Sequence, residues 1–170
     1  MIDYTKIILG TGSYDTVKSG NTVSITGDGG HAWHYFGPSY KKLAPRLITY
    51  QDYANTLNSL EVLKSQISLQ EYEYLKKQNE LHYIESYYIT RLKDLNAYYL
   101  LEILQEKYGF QIILLCHEPV NEFCHRRLVA DYIYLQTGIC IPEVEVLANG
   151  SITKKEPISY EQTLKRLMKL

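Results

Sequence analysis

Short continuous apolar runs lie near both ends of the chain, and longer stretches with apolar residues three and four apart fill its middle, which predicts strands outside and helices within. Lys6-Ile-Ile-Leu9 reads as a buried strand, and Gly10-Thr-Gly-Ser13 as a permissive loop at its carboxyl end. Thr22 to Thr26 alternates as a second strand would, and Gly27-Asp-Gly-Gly30 then interrupts regular structure. His31 to Leu43 is irregular, because Pro38 and Pro45 limit helicity. Tyr53, Leu57, Leu60 and Leu63 recur at helical spacing within Thr49 to Leu63. Ser68-Leu-Gln-Glu71 is a capping box, and the amphipathic stretch it opens runs through Tyr72, Leu75, Leu81, Ile84, Tyr88 and Leu92 to Leu95. A fresh helix from Asp94 to Tyr108 ends at Gly109.

Gln111-Ile-Ile-Leu-Leu-Cys116 is the clearest strand, uninterrupted in its apolar character and so covered on both faces. Glu122 to Leu135 is helical and stops at Gly138, and Ile141 to Val146 is one more strand. From about residue 147 the chain is polar and rich in Lys and Glu, an extension carrying a last short helix from Tyr160 to Met168. Helix before strand implies crossover connections. The fold expected is a single compact α/β domain over residues 1–170, with a short, mostly parallel sheet flanked by helices.

Composition changes this picture little. With 170 residues, 45% hydrophobic and 22% charged, the chain suits one ordinary globular domain. A formal net charge of -1 supplies no basic field, so nucleic-acid binding is not expected. Cys116, Cys124 and Cys140 are odd in number and match no disulfide scaffold, and the N-terminal residues resemble no signal peptide. No stretch approaches the roughly 18 apolar residues of a membrane span. The expectation is a cytoplasmic protein without a membrane partner, with a homodimer left open.

The chemistry concentrates in Cys116 to Arg127, which holds two Cys-His pairs and two arginines in the turn after the clearest strand. Ligands of open α/β sheets bind at the carboxyl ends of strands, where helix N-termini offer free N–H groups. A cysteine there, beside His and Arg, has its thiolate favoured, which makes Cys124 a candidate nucleophile. His125 and Glu118 are candidate proton carriers. Arg126 or Arg127 would bind an anion, although adjacent helical side chains diverge by about 100°, leaving one of them on the surface. Cys116 reads as a packed core thiol first and a ligand contact second. Gly10, Thr11, Gly12 and Ser13 weakly echo a phosphate loop, lacking its lysine, and Tyr35 lies in an aromatic cluster able to stack on a ring.

Cys116, His117, Cys124 and His125 nominally supply four zinc ligands. Their Cys-x7-Cys spacing matches no common knuckle, and one neighbour in each pair would have to turn backwards, so neither metal nor cofactor is assigned. A cysteine-phosphatase loop fails too, because Glu122 stands where an arginine is needed.

Leu114-Leu-Cys-His-Glu-Pro119 and Phe123-Cys-His-Arg-Arg-Leu-Val-Ala130 resemble the domain of unknown function 488 family, as do Tyr35-Phe-Gly-Pro38 and Lys42-Leu-Ala-Pro45. The likeness spans most of residues 7 to 145, with Asp28-Gly-Gly-His31 departing from it. It implies a compact α/β domain of bacterial or phage-like distribution whose site is the Cys, His and Arg positions, and it implies no reaction.

Three functions follow. The first is a small enzyme acting on a nucleotide-type or other anionic small molecule, with Cys124, His125 and Glu118 catalytic and Cys116, Arg126, Arg127, Gly10, Thr11, Gly12, Ser13 and Tyr35 binding. The second is a non-catalytic module that binds or sequesters a nucleotide-derived ligand in the same place. The third is an interaction protein using the tyrosine-bearing helix from Tyr72 to Tyr99, with Tyr83 and Tyr87 exposed.

Overall fold

A computed structural model describes residues 1–170 as one α/β domain built on a five-stranded sheet. The strands are β1 (Ile8–Ser13), β2 (Asn21–Ser24), β3 (Ile112–Cys116), β4 (Glu143–Val146) and β5 (Ile152–Lys155), in the spatial order β2-β3-β1-β4-β5. β1 pairs in parallel with β3 and β4, β2 in parallel with β3, and β5 closes the edge antiparallel to β4. The helices are α1 (Leu47–Leu63), α2 (Leu69–Tyr87), α3 (Ala97–Tyr108), α4 (His125–Thr137) and α5 (Glu161–Met168).

β3 is central because every one of its five residues is buried, the burial its continuous apolar run predicts. Alternation splits its side chains between two clusters. Ile112, Leu114 and Cys116 join the main core with side chains from α2, α3, α4 and α5. Ile113 and Leu115 face a smaller cluster with Tyr14, Val17, Val144 and Val146, against which Leu9 and Tyr35 pack. That second face is therefore covered by connecting segments.

Local chemistry sets the helix ends. The Ser68 hydroxyl accepts the Glu71 N–H (3.1 Å), one half of the expected capping box. A five-residue π-helical turn, Tyr88–Leu92, follows α2, and α3 starts at an Asn96 cap, two residues later than the Asp94 start expected. Gly138 ends α4 in the left-handed conformation its position predicts.

Three expectations are corrected here. Gly10 to Ser13 is no loop but the body of β1, all buried. The glycines are there because β4 lies too close for a side chain. A Cβ on Gly12 would sit 2.4 Å from Val17 Cγ2 and 2.9 Å from the Val144 carbonyl, and one on Gly10 would sit 2.8 Å from the Pro142 carbonyl. The C-terminal stretch is not an appendage, since β5 pairs along β4 and Tyr160 and Leu164 are core residues. Tyr83 and Tyr87 are buried, with 4% and 0% exposure, so they form no partner face. No helix is long and apolar enough to cross a membrane.

Replacing Gly12 with alanine is expected to destabilise the fold by about 1–3 kcal/mol, the usual range for overpacking. Urea denaturation should show it as a lowered midpoint at unchanged slope; an unaltered midpoint would mean that β1 and β4 can separate freely.

Candidate functional site

β3 ends at Cys116 and α4 begins at His125, with Cys124 as its N-cap in extended conformation (φ -154°, ψ 139°). The change from extended Cys124 to helical His125 turns both side chains inward, where spacing alone had one of them turning back. His117 does turn away. Its ring stacks on Trp33 (centroids 5.1 Å apart, planes 7° apart) and its Nε2 lies 3.2 Å from Glu118 Oε1. The side-chain donor atoms of Cys116, Cys124 and His125 consequently all lie within 4.8 Å of one another, and all three residues are buried.

The two arginines are used inside the protein. α4 is buried without a break from His125 to Ile133, so it has no outer face there for either of them. Arg126, 1% exposed, grips Glu143 of β4 with Nε (3.0 and 3.1 Å) and Nη2 (2.9 Å), and its Nη1 donates to Cys124 Sγ at 3.1 Å. Burial works against its charge, but the Cys124 sulfur and the Glu143 carboxylate together hold its pKa above the ordinary arginine value. Arg127 Nη1 donates to the Thr11 hydroxyl (2.8 Å) and the Ile141 carbonyl (2.9 Å), and its Nη2 lies 3.8 Å from Asp131. Burial pulls its pKa below the ordinary value. The expectation that one arginine binds an anion while the other is a surface residue is thus corrected: Glu143 and Asp131 already answer both charges.

The cysteine expectation also changes. Burial pushes the Cys124 thiol well above its ordinary pKa, and the neighbouring Cys116 adds to this against the opposing pull of Arg126. Its place at a helix N-terminus does not offset that desolvation. At His125 burial disfavours the charged ring, while Cys124, Glu118 and the Ile25 carbonyl favour it and bring its pKa above the ordinary value. His125 Nε2 lies 2.7 Å from that Ile25 carbonyl, and Cys116 Sγ is 3.5 to 3.7 Å from the ring nitrogens.

Beside this cluster opens a cavity of about 570 Å³. Cys124, His125, His117 and Glu118 form one wall, and Trp33, Tyr50, Tyr53, Tyr83 and Phe123 form much of the rest. Glu118 Oε2 is buried in this wall with no hydrogen-bond partner. Asp28, also in the lining, is spoken for: it accepts from the Thr26 hydroxyl and from the Gly30 and Ala32 N–H groups. Burial alone would raise its pKa, but these donors hold it below the usual carboxylate value. No lysine or arginine lines the cavity.

Of the residues singled out from sequence, Cys124, His125 and Glu118 meet at this cavity, and Cys116 lies behind them. Gly10, Thr11, Gly12 and Ser13 do not reach it; Thr11 donates instead to Glu143 (3.0 Å). Tyr35 is elsewhere, packed on Tyr14 with its hydroxyl donating to the Thr22 and Pro38 carbonyls. Sequence reasoning missed Glu143, Tyr160 and the wall residues Tyr50, Tyr53, Tyr83 and Phe123, while Trp33 belongs to the aromatic cluster expected to stack on a ring. The alternation Glu143-Val-Glu145-Val146, which turns both glutamates to one side of the strand in a chain with two adjacent arginines, is the signal that was available for Glu143. Tyr160, whose hydroxyl accepts the Cys124 N–H at 3.3 Å, left none.

No family model, no curated protein and no solved structure matches the chain.

Two outcomes test this geometry. Glu143→Ala leaves Arg126 buried and unpaired, and is expected to cost about 3–5 kcal/mol in chemical denaturation; a loss under about 1 kcal/mol would show that Arg126 finds water or another partner. In the reduced native protein iodoacetamide should modify exposed Cys140 first, with Cys116 and Cys124 reacting only on unfolding, as read by peptide mass spectrometry. Early labelling of Cys124 would restore it as a nucleophile.

Proposed function

We propose that the chain binds a small planar heterocycle of the nucleobase or nucleoside class in the cavity beside Cys124 and His125. The observation that carries this reading is Glu118 Oε2, buried without a partner in the wall of an aromatic-lined cavity. A buried acceptor left unpaired costs about 1–3 kcal/mol. A ligand N–H or amino group would supply the missing donor once the Glu118 side chain turns toward the cavity, and Trp33, Tyr50, Tyr53 and Phe123 give a flat molecule an aromatic lining to pack on.

A phosphate added to such a ligand finds no cationic counterpart here, because both arginines are engaged elsewhere and the lining is acidic. The reading therefore keeps the nucleotide-type ligand expected from sequence and places its base, not its phosphate, in the cavity.

The non-catalytic form of this reading has its own support. A thiol as buried as Cys124, with its pKa pushed up, is a poor nucleophile. What remains for proton movement is His125 and Glu118 beside His117, so turnover, if measured, depends on those side chains and not on Cys124.

The test is a thermal-shift and product-formation panel of bases, nucleosides, nucleoside phosphates and inorganic phosphate. Bases or nucleosides are expected to raise Tm, phosphate alone to leave it unchanged, and Glu118→Gln to weaken the best binder by roughly ten- to a hundredfold, the loss of one hydrogen bond to a charged acceptor. A response to phosphate alone, or a Glu118→Gln protein that binds as before, would sink the reading. Product formed by the parent chain and not by Glu118→Gln would make it an enzyme; binding without product would make it a sequestering module.

A further inference from the structure

Cys116, Cys124 and His125 form a cluster that the reading of the cavity leaves without a task. Their donor atoms lie within 4.8 Å of one another. Two sulfurs and an imidazole nitrogen bound tetrahedrally, at about 2.3 Å and 2.0–2.1 Å from a zinc ion, sit closer together than that, so only small side-chain shifts are needed. The three arrive from fixed places, the last residue of β3, the N-cap of α4 and its first helical residue.

Two surrounding contacts are those a metal site uses. Metal-ligating histidines commonly donate their second ring N–H to a backbone carbonyl, which fixes ring and tautomer. The Ile25 carbonyl lies 2.7 Å from His125 Nε2, and Cys116 Sγ lies 3.5 Å from Nε2 and 3.7 Å from Nδ1; when the ring carries a single proton, the carbonyl contact keeps it on Nε2 and leaves the Nδ1 lone pair free for an ion. Arg126 Nη1 donates to Cys124 Sγ at 3.1 Å, a contact that stabilises a thiolate, while its own charge is met by Glu143. A divalent cation with two thiolates and a neutral imidazole is also neutral overall, which lowers the cost of burying it.

We propose that Cys116, Cys124 and His125 Nδ1 bind one zinc-type divalent cation at the floor of the cavity, with the fourth coordination position open to it. Two thiolates and an imidazole select a borderline-soft ion over magnesium or calcium. Three protein ligands with an open fourth position are the pattern of catalytic rather than structural zinc. Cys124 and His125 line the cavity, as Glu118 does, so that position opens to the same space and takes water or a ligand donor atom. The ion site stands on the three side chains and their two supporting contacts; only the use of its fourth position rests on the proposed ligand.

The test is cobalt titration of the reduced, chelator-stripped full chain. The expected result is about one Co²⁺ per chain, with a near-ultraviolet thiolate charge-transfer band and the visible bands of tetrahedral cobalt, both displaced by Zn²⁺. Cys140→Ser should bind as the parent does, and Cys116→Ser, Cys124→Ser and His125→Ala should each bind at least about tenfold more weakly. Because substitutions at buried positions can unfold the chain, X-ray absorption of the unsubstituted zinc-loaded protein gives the ligand set independently, with two sulfurs and the remainder nitrogen or oxygen expected. The proposal is overturned if the reduced parent takes up no stoichiometric cobalt, if the first shell contains no sulfur, or if the charge-transfer band is lost in Cys140→Ser. Metal uptake is scored without any organic ligand, and the nucleoside panel on the metal-free chain, so either proposal can fail alone.

Discussion

The buried pair between Arg126 and Glu143 is the interaction around which this domain is arranged. Two charges 1% and 2% exposed impose a desolvation cost that only near-complete hydrogen bonding offsets. Three N–H···O contacts join the pair, and the Thr11 hydroxyl adds a fourth to the carboxylate. The network thereby ties the first turn of α4 to β4 and β1. It holds the start of α4 against the sheet with Cys124 and His125 turned towards Cys116, and it requires β1 and β4 to approach closely, which is what Gly10 and Gly12 permit. A packed apolar pair of the same volume would hold the elements together as well, but it could not donate to the Cys124 sulfur.

How much of this was legible depends on whether the signal was local. β3 announced itself through an unbroken apolar run, α2 through the Ser68 cap and the end of α4 through Gly138, because each reports a preference of its own few residues. Gly10 to Ser13 misled for the same reason: glycine read locally means a turn, whereas here it means the absence of a Cβ against a strand more than 130 residues away. β5, exposed and lysine-bearing, has no apolar alternation and exists through its pairing with β4. The arginines misled because the argument about diverging side chains assumes a helix with an outer face, and the first turns of α4 have none.

The place of the site was readable where its character was not. Cys116 to Arg127 is indeed where a cavity meets titratable side chains, as loops at the carboxyl ends of parallel strands lead one to expect. Thiolate activation and anion binding were argued from placement at a helix N-terminus, and burial works against both, because desolvation outweighs a helix terminus when a thiol is wholly enclosed and because each arginine already has an acid beside it. The cavity's aromatic walls come from α1, α2 and the 26–33 segment, brought together only by tertiary packing.

The Tyr160 hydroxyl meets the Cys124 N–H, and the Tyr160 N–H in turn donates to Asp131 at 2.7 Å. Seen from the ribosome, the chain around Cys124 cannot acquire its final surroundings until some of its last residues have emerged, long after β1, β2 and α1 have been made. Premature termination before residue 160 thus yields a chain with every cysteine and histidine of the cluster and an unsupported start to α4.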